Sequence, residues 1–282
     1  MNTIDIITQP ATTLSDADVL WNDILAEVEQ QRTANPVISS FLDKMALQNG
    51  SMADAAALLL GSRMGGNGVS EWSVRKLCQQ AYAENPELLA VMVKDLLAIV
   101  HRDPASYSLS APFLFFKGFH ALQVYRVARH YWLNGQQFSA LALQSAASAA
   151  FGVDIHPAAR IGAGVMIDHA TGVVIGETAV IGDNVSILHN VTLGGSGNKQ
   201  GDRHPKVGAG VLIGAGATLL DNIRIGDNAK IGAGAVVLRN VPPRHIATGV
   251  PARNRPMADD QDPPAMTGDQ SFLDDFGVDY MI

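Results

Sequence analysis

A chain of 282 residues, 47% of them hydrophobic, is long enough to bury a sizeable core and to form two domains. Its formal charge of −7 argues against nucleic acid as a standing partner, because phosphate binding needs a basic patch. A single cysteine, Cys78, excludes an internal disulfide framework; with no leader-like start and no run of about 18 apolar residues, a cytoplasmic protein without a membrane partner is expected.

The first half reads as helix. Between 15 and 31 the residues Val19, Leu20, Ile24, Leu25 and Val28 recur at helical spacing, with Ser15 and Asp18 placed as a capping box. A second helix is predicted over 36–47. A third starts at Ser51, with Asp54 three residues on, and a fourth runs over 70–82. Asn85-Pro86 reads as N-cap and first turn of a fifth, ending near Val100. Pro104 opens a connector over 105–112, and helices follow over 114–134 and 137–150, parted by Asn134-Gly135. Residues 1–150 therefore read as an all-α domain.

At Phe151-Gly152 the composition turns to Gly, Ala, Val and Ile, and a beat of six begins. Its aliphatic openers are Ile155, Ile161, Ile167, Ile175, Ile181, Ile187 and Leu193, then Val207, Ile213, Leu219, Ile225, Ile231 and Val237. Four residues after most openers comes a second small or branched residue, such as Val165, Val185, Ala217 or Ala229. A period of six is the signature of a parallel β-helix, in which each hexad supplies a short strand and a corner. The repeat is predicted to end at Val241-Pro242-Pro243. It breaks step twice, once after Asp168-His169 and once between Leu193 and Val207. Solenoids place such insertions on the surface, often on the binding face. After Pro251 the tail is rich in Asp and Pro and reads as a flexible acidic arm with an apolar end, Phe272 to Ile282. That end either docks on its own domain or is a peptide that another protein recognises.

Chemistry is sought at the breaks. His169 has the right group to take a proton from a hydroxyl near neutral pH, and a base of this kind is oriented by a carboxylate. Asp168 is adjacent, but neighbours on a strand point to opposite faces. Asp154 is fifteen residues back, and spacing alone does not bring it into contact. The plain alternative is a corner histidine satisfied by backbone. His169 and His189 are expected to stack on one face, and with His204 would supply the three nitrogens of a zinc site, although stacked histidines are more often structural. Arg203-His204-Pro205-Lys206 is a basic cluster suited to a carboxylate. The glycines of 194–197 permit a close backbone approach to a ligand. Cys78, in a helix of the other domain, is poorly placed to be a nucleophile.

Several segments together resemble serine O-acetyltransferases: 153–159 with Asp154-Ile155-His156-Pro157, 168–172 with Asp168-His169-Ala170-Thr171-Gly172, 191–195, 201–206 and 249–253. The likeness extends upstream through Arg102-Asp103-Pro104-Ala105 and Lys117-Gly118-Phe119-His120. The resemblance implies an N-terminal all-α domain (1–150), a left-handed parallel β-helix (151–253) and a flexible tail (254–282). It implies transfer of acetyl from acetyl-CoA, a co-substrate with no tightly bound cofactor, to the hydroxyl of L-serine. His169 would be the general base and Asp154 its orienting partner. Asp103 and Asp168 would hold the serine ammonium, and Arg203 and His204 its carboxylate. Gly195, Ala215, Lys230 and Ala233 would line the CoA groove. Trimers that pair into a hexamer, competition by L-cysteine, and capture of Ile282 by O-acetylserine sulfhydrylase are further implications. The competing readings are an acyltransferase with another acceptor, a zinc hydratase on a similar solenoid, and a scaffold that regulates its partner.

Overall fold

The computed structural model describes residues 14–66, 68–197, 200–257 and 262–267. Helix α1 (Leu14–Ala34) buries Leu20, Ile24 and Val28, one stripe at intervals of four. The stretch expected as one helix is instead a 3-10 turn (Pro36–Ile38), an α turn (Ser39–Leu42) and a π turn (Asp43–Leu47) in succession, with Leu42, Met45 and Ala46 buried. Helices α2 (Met52–Met64) and α3 (Glu71–Glu84) begin as their serines predict. Ser51 Oγ accepts from Asp54 N at 3.1 Å and Ser70 Oγ from Ser73 N at 3.0 Å.

Helix α4 (Glu87–Arg102) is capped by Pro86 rather than Asn85 and runs on past Val100 to Arg102. The expected connector contains a short helix, α5 (Ser110–Phe115). Its start is held by Glu27 of α1, whose carboxylate accepts from Leu109 N at 3.1 Å and Ser110 N at 2.8 Å. A helix N-terminus favours an anion there. Helices α6 (Lys117–Leu133) and α7 (Gln137–Phe151) pack together, and Gly152, at φ 67°, turns the chain out of α7 into the repeat.

The repeat is a parallel β-solenoid of three sheets, with the strands taking sheet positions in rotation. The first sheet holds β1 (Val153–Ile155), β4 (Val173–Ile175), β7 (Thr192–Gly194), β10 (Thr218–Leu220) and β13 (Val236–Val237). The second holds β2 (Arg160–Ile161), β5 (Val180–Ile181), β8 (Lys206–Val207) and β11 (Arg224–Ile225). The third holds β3 (Met166–Ile167), β6 (Ser186–Ile187), β9 (Leu212–Ile213), β12 (Lys230–Ile231), β14 (His245–Thr248) and β15 (Arg253–Pro256). The openers point inward: Ile187, Leu193, Ile213, Leu219 and Ile231 are fully buried, and openers stack on openers, as Ile155 on Ile175 and Ile181 on Val207. The structure extends beyond Pro243, because β14 continues the third sheet and β15 turns back antiparallel to it.

Helix α6 anchors the helical part on the first turn of the solenoid. Tyr125 donates its hydroxyl proton to Ala159 O at 2.6 Å, and Arg129 reaches the same carbonyl at 2.8 Å. Asp95 of α4, fully buried, takes Arg126 of α6 in a two-pronged pair at 2.6 and 2.8 Å and also accepts from Val165 N at 3.1 Å. The helices and the solenoid share one continuous apolar core. Part of the tail expected to be a free arm is docked: α8 (Pro264–Thr267) lies on the third sheet, where Ser186 Oγ donates to Ala265 O at 3.1 Å. Ile282 lies outside the described residues. No described helix is long and apolar enough to cross a membrane.

Candidate active site

The solenoid has three columns of corners, and two of them, on either side of the first sheet, carry the residues of interest. The column from the third sheet into the first holds Asp168-His169, then His189, Ala215 and Ala233. Backbone bonds stack it: Asn190 N to Thr171 O at 2.7 Å, Gly216 N to His189 O at 2.9 Å, and Gly234 N to Ala215 O at 2.8 Å. The two extra residues after Ile167 are absorbed in a tight corner where His169 (φ 54°) and Ala170 (φ 61°) are both left-handed. Conformations of this kind cluster at functional sites. The corner projects the His169 side chain outward, 75% exposed.

Because His169 is not on a strand, the alternation that set Asp168 aside does not operate. His169 Nε2 stands 3.7 Å from Asp168 Oδ2. The two rings His169 and His189 do stack, edge to face with centroids 5.9 Å apart. A cavity of about 500 Å³ opens beside this corner, walled by Asp103, Asp168, His169 and Lys117 and floored by Met166 and Leu212. Arg102 places Asp103 at its mouth: the buried guanidinium donates to Asn184 Oδ1 at 3.2 Å and Ser186 Oγ at 3.3 Å, fixing the end of α4 on the solenoid. Gly118, at the start of α6, abuts the Ile167 carbonyl so closely that any Cβ would collide with it. Burial raises the Asp168 carboxyl above its ordinary range, and the Asp103 charge raises it further, against the lowering pull of His169. Two facing carboxylates of this kind make a receptor for a cation.

Asp154 lies elsewhere. It projects from β1 between inward Val153 and Ile155, and its Oδ1 accepts from Gln144 Nε2 of α7 at 2.6 Å. Arg203 and His204 occupy the opposite column, from the first sheet into the second. There Arg203 Nη2 meets Glu177 Oε2 at 2.8 Å, and His204 Nδ1 accepts from Thr178 N at 3.1 Å. Burial and the Arg203 charge hold His204 below the usual imidazole range. With His204 at a different corner from His169 and His189, the three nitrogens of the zinc reading do not meet within one chain. Of the groove residues, Ala215 and Ala233 share the His169 column, while Gly195 lies against Arg203, where an added Cβ would come within 3.1 Å of the Arg203 carbonyl oxygen. Lys230 sits on β12, the strand that leads into the corner at Ala233, and is buried. Glu177, Thr178 and Gln144 were not legible as site residues, since each follows the repeat or helix pattern unremarkably. Cys78 is buried, its thiol pushed up to about 12 by desolvation, which leaves it inert as a nucleophile.

A family model described as "Serine acetyltransferase, N-terminal" matches residues 20–124, and one for "Bacterial transferase hexapeptide (six repeats)" matches 204–239. The serine acetyltransferase of Escherichia coli K12 is 46% identical over 91% of this chain and 94% of its own length. The chain belongs to the serine acetyltransferase family. Among solved members, a serine acetyltransferase in complex with cysteine superposes with a TM-score of 0.87 at 44% identity, covering 90% of this chain and 98% of that one. The Brucella abortus S19 enzyme in complex with coenzyme A gives 0.82 at 46% identity, covering 84% and 95%. The likeness to the Escherichia coli enzyme, over 91% of this chain, takes in both the helical part and the solenoid.

Proposed function

We propose that this serine acetyltransferase family member transfers acetyl from acetyl-CoA to the L-serine hydroxyl by direct attack, with His169 as general base. The observation that carries the reading is the cavity that joins two carboxylates to an exposed imidazole at the head of a column of small residues. Asp103 and Asp168 receive the ammonium group. His169 takes the hydroxyl proton as that oxygen attacks the thioester carbonyl, and returns a proton to the departing thiolate. Holding both substrates against one corner supplies the orientation that a bimolecular reaction lacks. Ala215 and Ala233 leave room along the column for the pantetheine arm, with Gly195 and Lys230 as further contacts. Acetyl-CoA enters as co-substrate, and no tightly bound cofactor has a step in this scheme.

The serine carboxylate goes to Arg203 and His204, and in this reading they come from a neighbouring copy. Within one chain the whole first sheet separates the two corners. A ring of three copies brings the His169 corner of one against the Arg203 corner of the next. The exposed His169 ring fits such a shared site. Asp154 is proposed as the orienting carboxylate, supported by its outward placement on β1 and its fixation by Gln144. The helical unit (1–150) pairs trimers into a hexamer, the solenoid (151–253) holds the chemistry, and the tail (254–282) presents Ile282 to O-acetylserine sulfhydrylase. L-Cysteine, a serine analogue with the same ammonium and carboxylate, competes at the same groups, and the setting is cytoplasmic cysteine synthesis. The test is release of free thiol from acetyl-CoA: it should depend on L-serine, and serine-independent release, or release driven better by another hydroxyl acceptor, would refute the assignment.

A further inference from the structure

Thr178 has no part in the reading above, yet it holds both residues assigned to the substrate carboxylate. Its hydroxyl oxygen accepts from Arg203 N at 3.0 Å and from His204 N at 3.1 Å. Its own backbone N–H donates to His204 Nδ1 at 3.1 Å, and the hydroxyl lies 2.8 Å from the same nitrogen. A ring nitrogen facing an N–H donor presents its lone pair there and not a proton. The hydroxyl has one proton to give, either to His204 Nδ1 or to the Asp202 carboxylate, with which it also interacts. In both cases Nδ1 stays bare, so the neutral ring carries its proton on Nε2. Nε2 has no hydrogen-bond partner among the described residues, although His204 is only 7% exposed. The ring lies over Gly176, where any Cβ would strike it. The imidazole is thus held at Nδ1, and Nε2, which is not among the orphaned buried polar atoms, is a donor open to an acceptor from outside the chain.

We propose that Thr178 is a positioning residue for the amino-acid substrate: its hydroxyl orders the Arg203-His204 backbone, while its backbone N–H fixes His204 as the Nε2–H tautomer. A neutral donor is thereby presented beside the Arg203 guanidinium, matched to the two oxygens of a carboxylate. The proposal rests on the assignment of Arg203 and His204 to that carboxylate. Glu177, which holds Arg203 Nη2, completes the same support.

Steady-state kinetics of the full-length assembled enzyme test it. Thr178→Val should raise the KM for L-serine about tenfold, the worth of roughly one hydrogen bond, with kcat and the KM for acetyl-CoA within about twofold of the parent. Thr178→Ser should restore the parent value, and Thr178→Ala serves if the valine variant does not assemble. In an Arg203→Ala/His204→Gln background both carboxylate donors that Thr178 positions are gone, so there Thr178→Val should cost no more than about twofold. An equal cost in both backgrounds overturns the proposal, because Thr178 would then act independently of Arg203 and His204. An unchanged serine KM in Thr178→Val, with Arg203→Ala still raising it, sinks the positioning role alone. An unchanged serine KM in all these variants sinks the carboxylate assignment as well.

Discussion

The two corners flanking the first sheet are built in opposite ways. At His169 the backbone itself is contorted, with two consecutive left-handed residues, and the side chain is left exposed at the edge of a cavity. At Arg203-His204 the side chains are tied down, by Glu177 and Thr178, and the imidazole is buried and held neutral. A base has to reach a proton and then release it, which suits an exposed ring on a stiff turn. A carboxylate receptor has to keep fixed donors aimed at one place, which suits a ring locked by second partners. The first corner also leans on the helical part, where Gly118 of α6 abuts the Ile167 carbonyl.

Removing the base should separate the corners most sharply. His169→Ala should lower kcat by about 10²–10⁴ while leaving serine affinity nearly intact, measured by thiol release and by direct serine binding. A fall in binding with little change in kcat would reverse the roles given to the corners. Next comes the anchor between the helical part and the solenoid. Asp95→Ala strands the buried Arg126 guanidinium and should destabilise the fold by about 3–5 kcal/mol in denaturant unfolding. Arg203→Ala should act on affinity, raising the serine KM by roughly 10–100-fold with a smaller effect on kcat, the converse of the His169 result.

The smallest effect is one of pH. In the proposed site serine binding needs Asp168 ionised, and that carboxyl is raised above its ordinary range by burial and by Asp103. The acid limb of kcat/KM for serine should therefore lie above the usual aspartate range, with activity lost as pH falls through it. Asp103→Asn removes the like charge, so the Asp168 carboxyl drops and the limb moves to lower pH. A limb that stays in place in this variant would show that Asp103 and Asp168 do not face one ligand.

How much of this was legible in the sequence follows from the range of the forces involved. The six-residue beat named every inward opener, because stacked turns repeat one environment. Serine caps at Ser51 and Ser70 are local and were readable. Helix α5 was not, because its cap is Glu27 from a helix far upstream in the chain. The breaks in step located both corners, yet strand alternation has no force at Asp168-His169, since a left-handed corner does not alternate. Nor does spacing say that Asp154 is held by Gln144, or that Arg203 stands a full sheet away from His169. Those are facts of side-chain packing between distant segments.

The central claim is that one site is shared between two copies, and mixing two disabled chains tests it. His169→Ala keeps the Arg203 corner and Arg203→Ala keeps the His169 corner. Co-expressed in equal amounts, they should form mixed trimers in which about a quarter of the interfaces carry both intact corners, with activity near that fraction of the parent. A mixture no more active than the two variants assayed apart would show that each chain carries its own complete site, and would contradict the account.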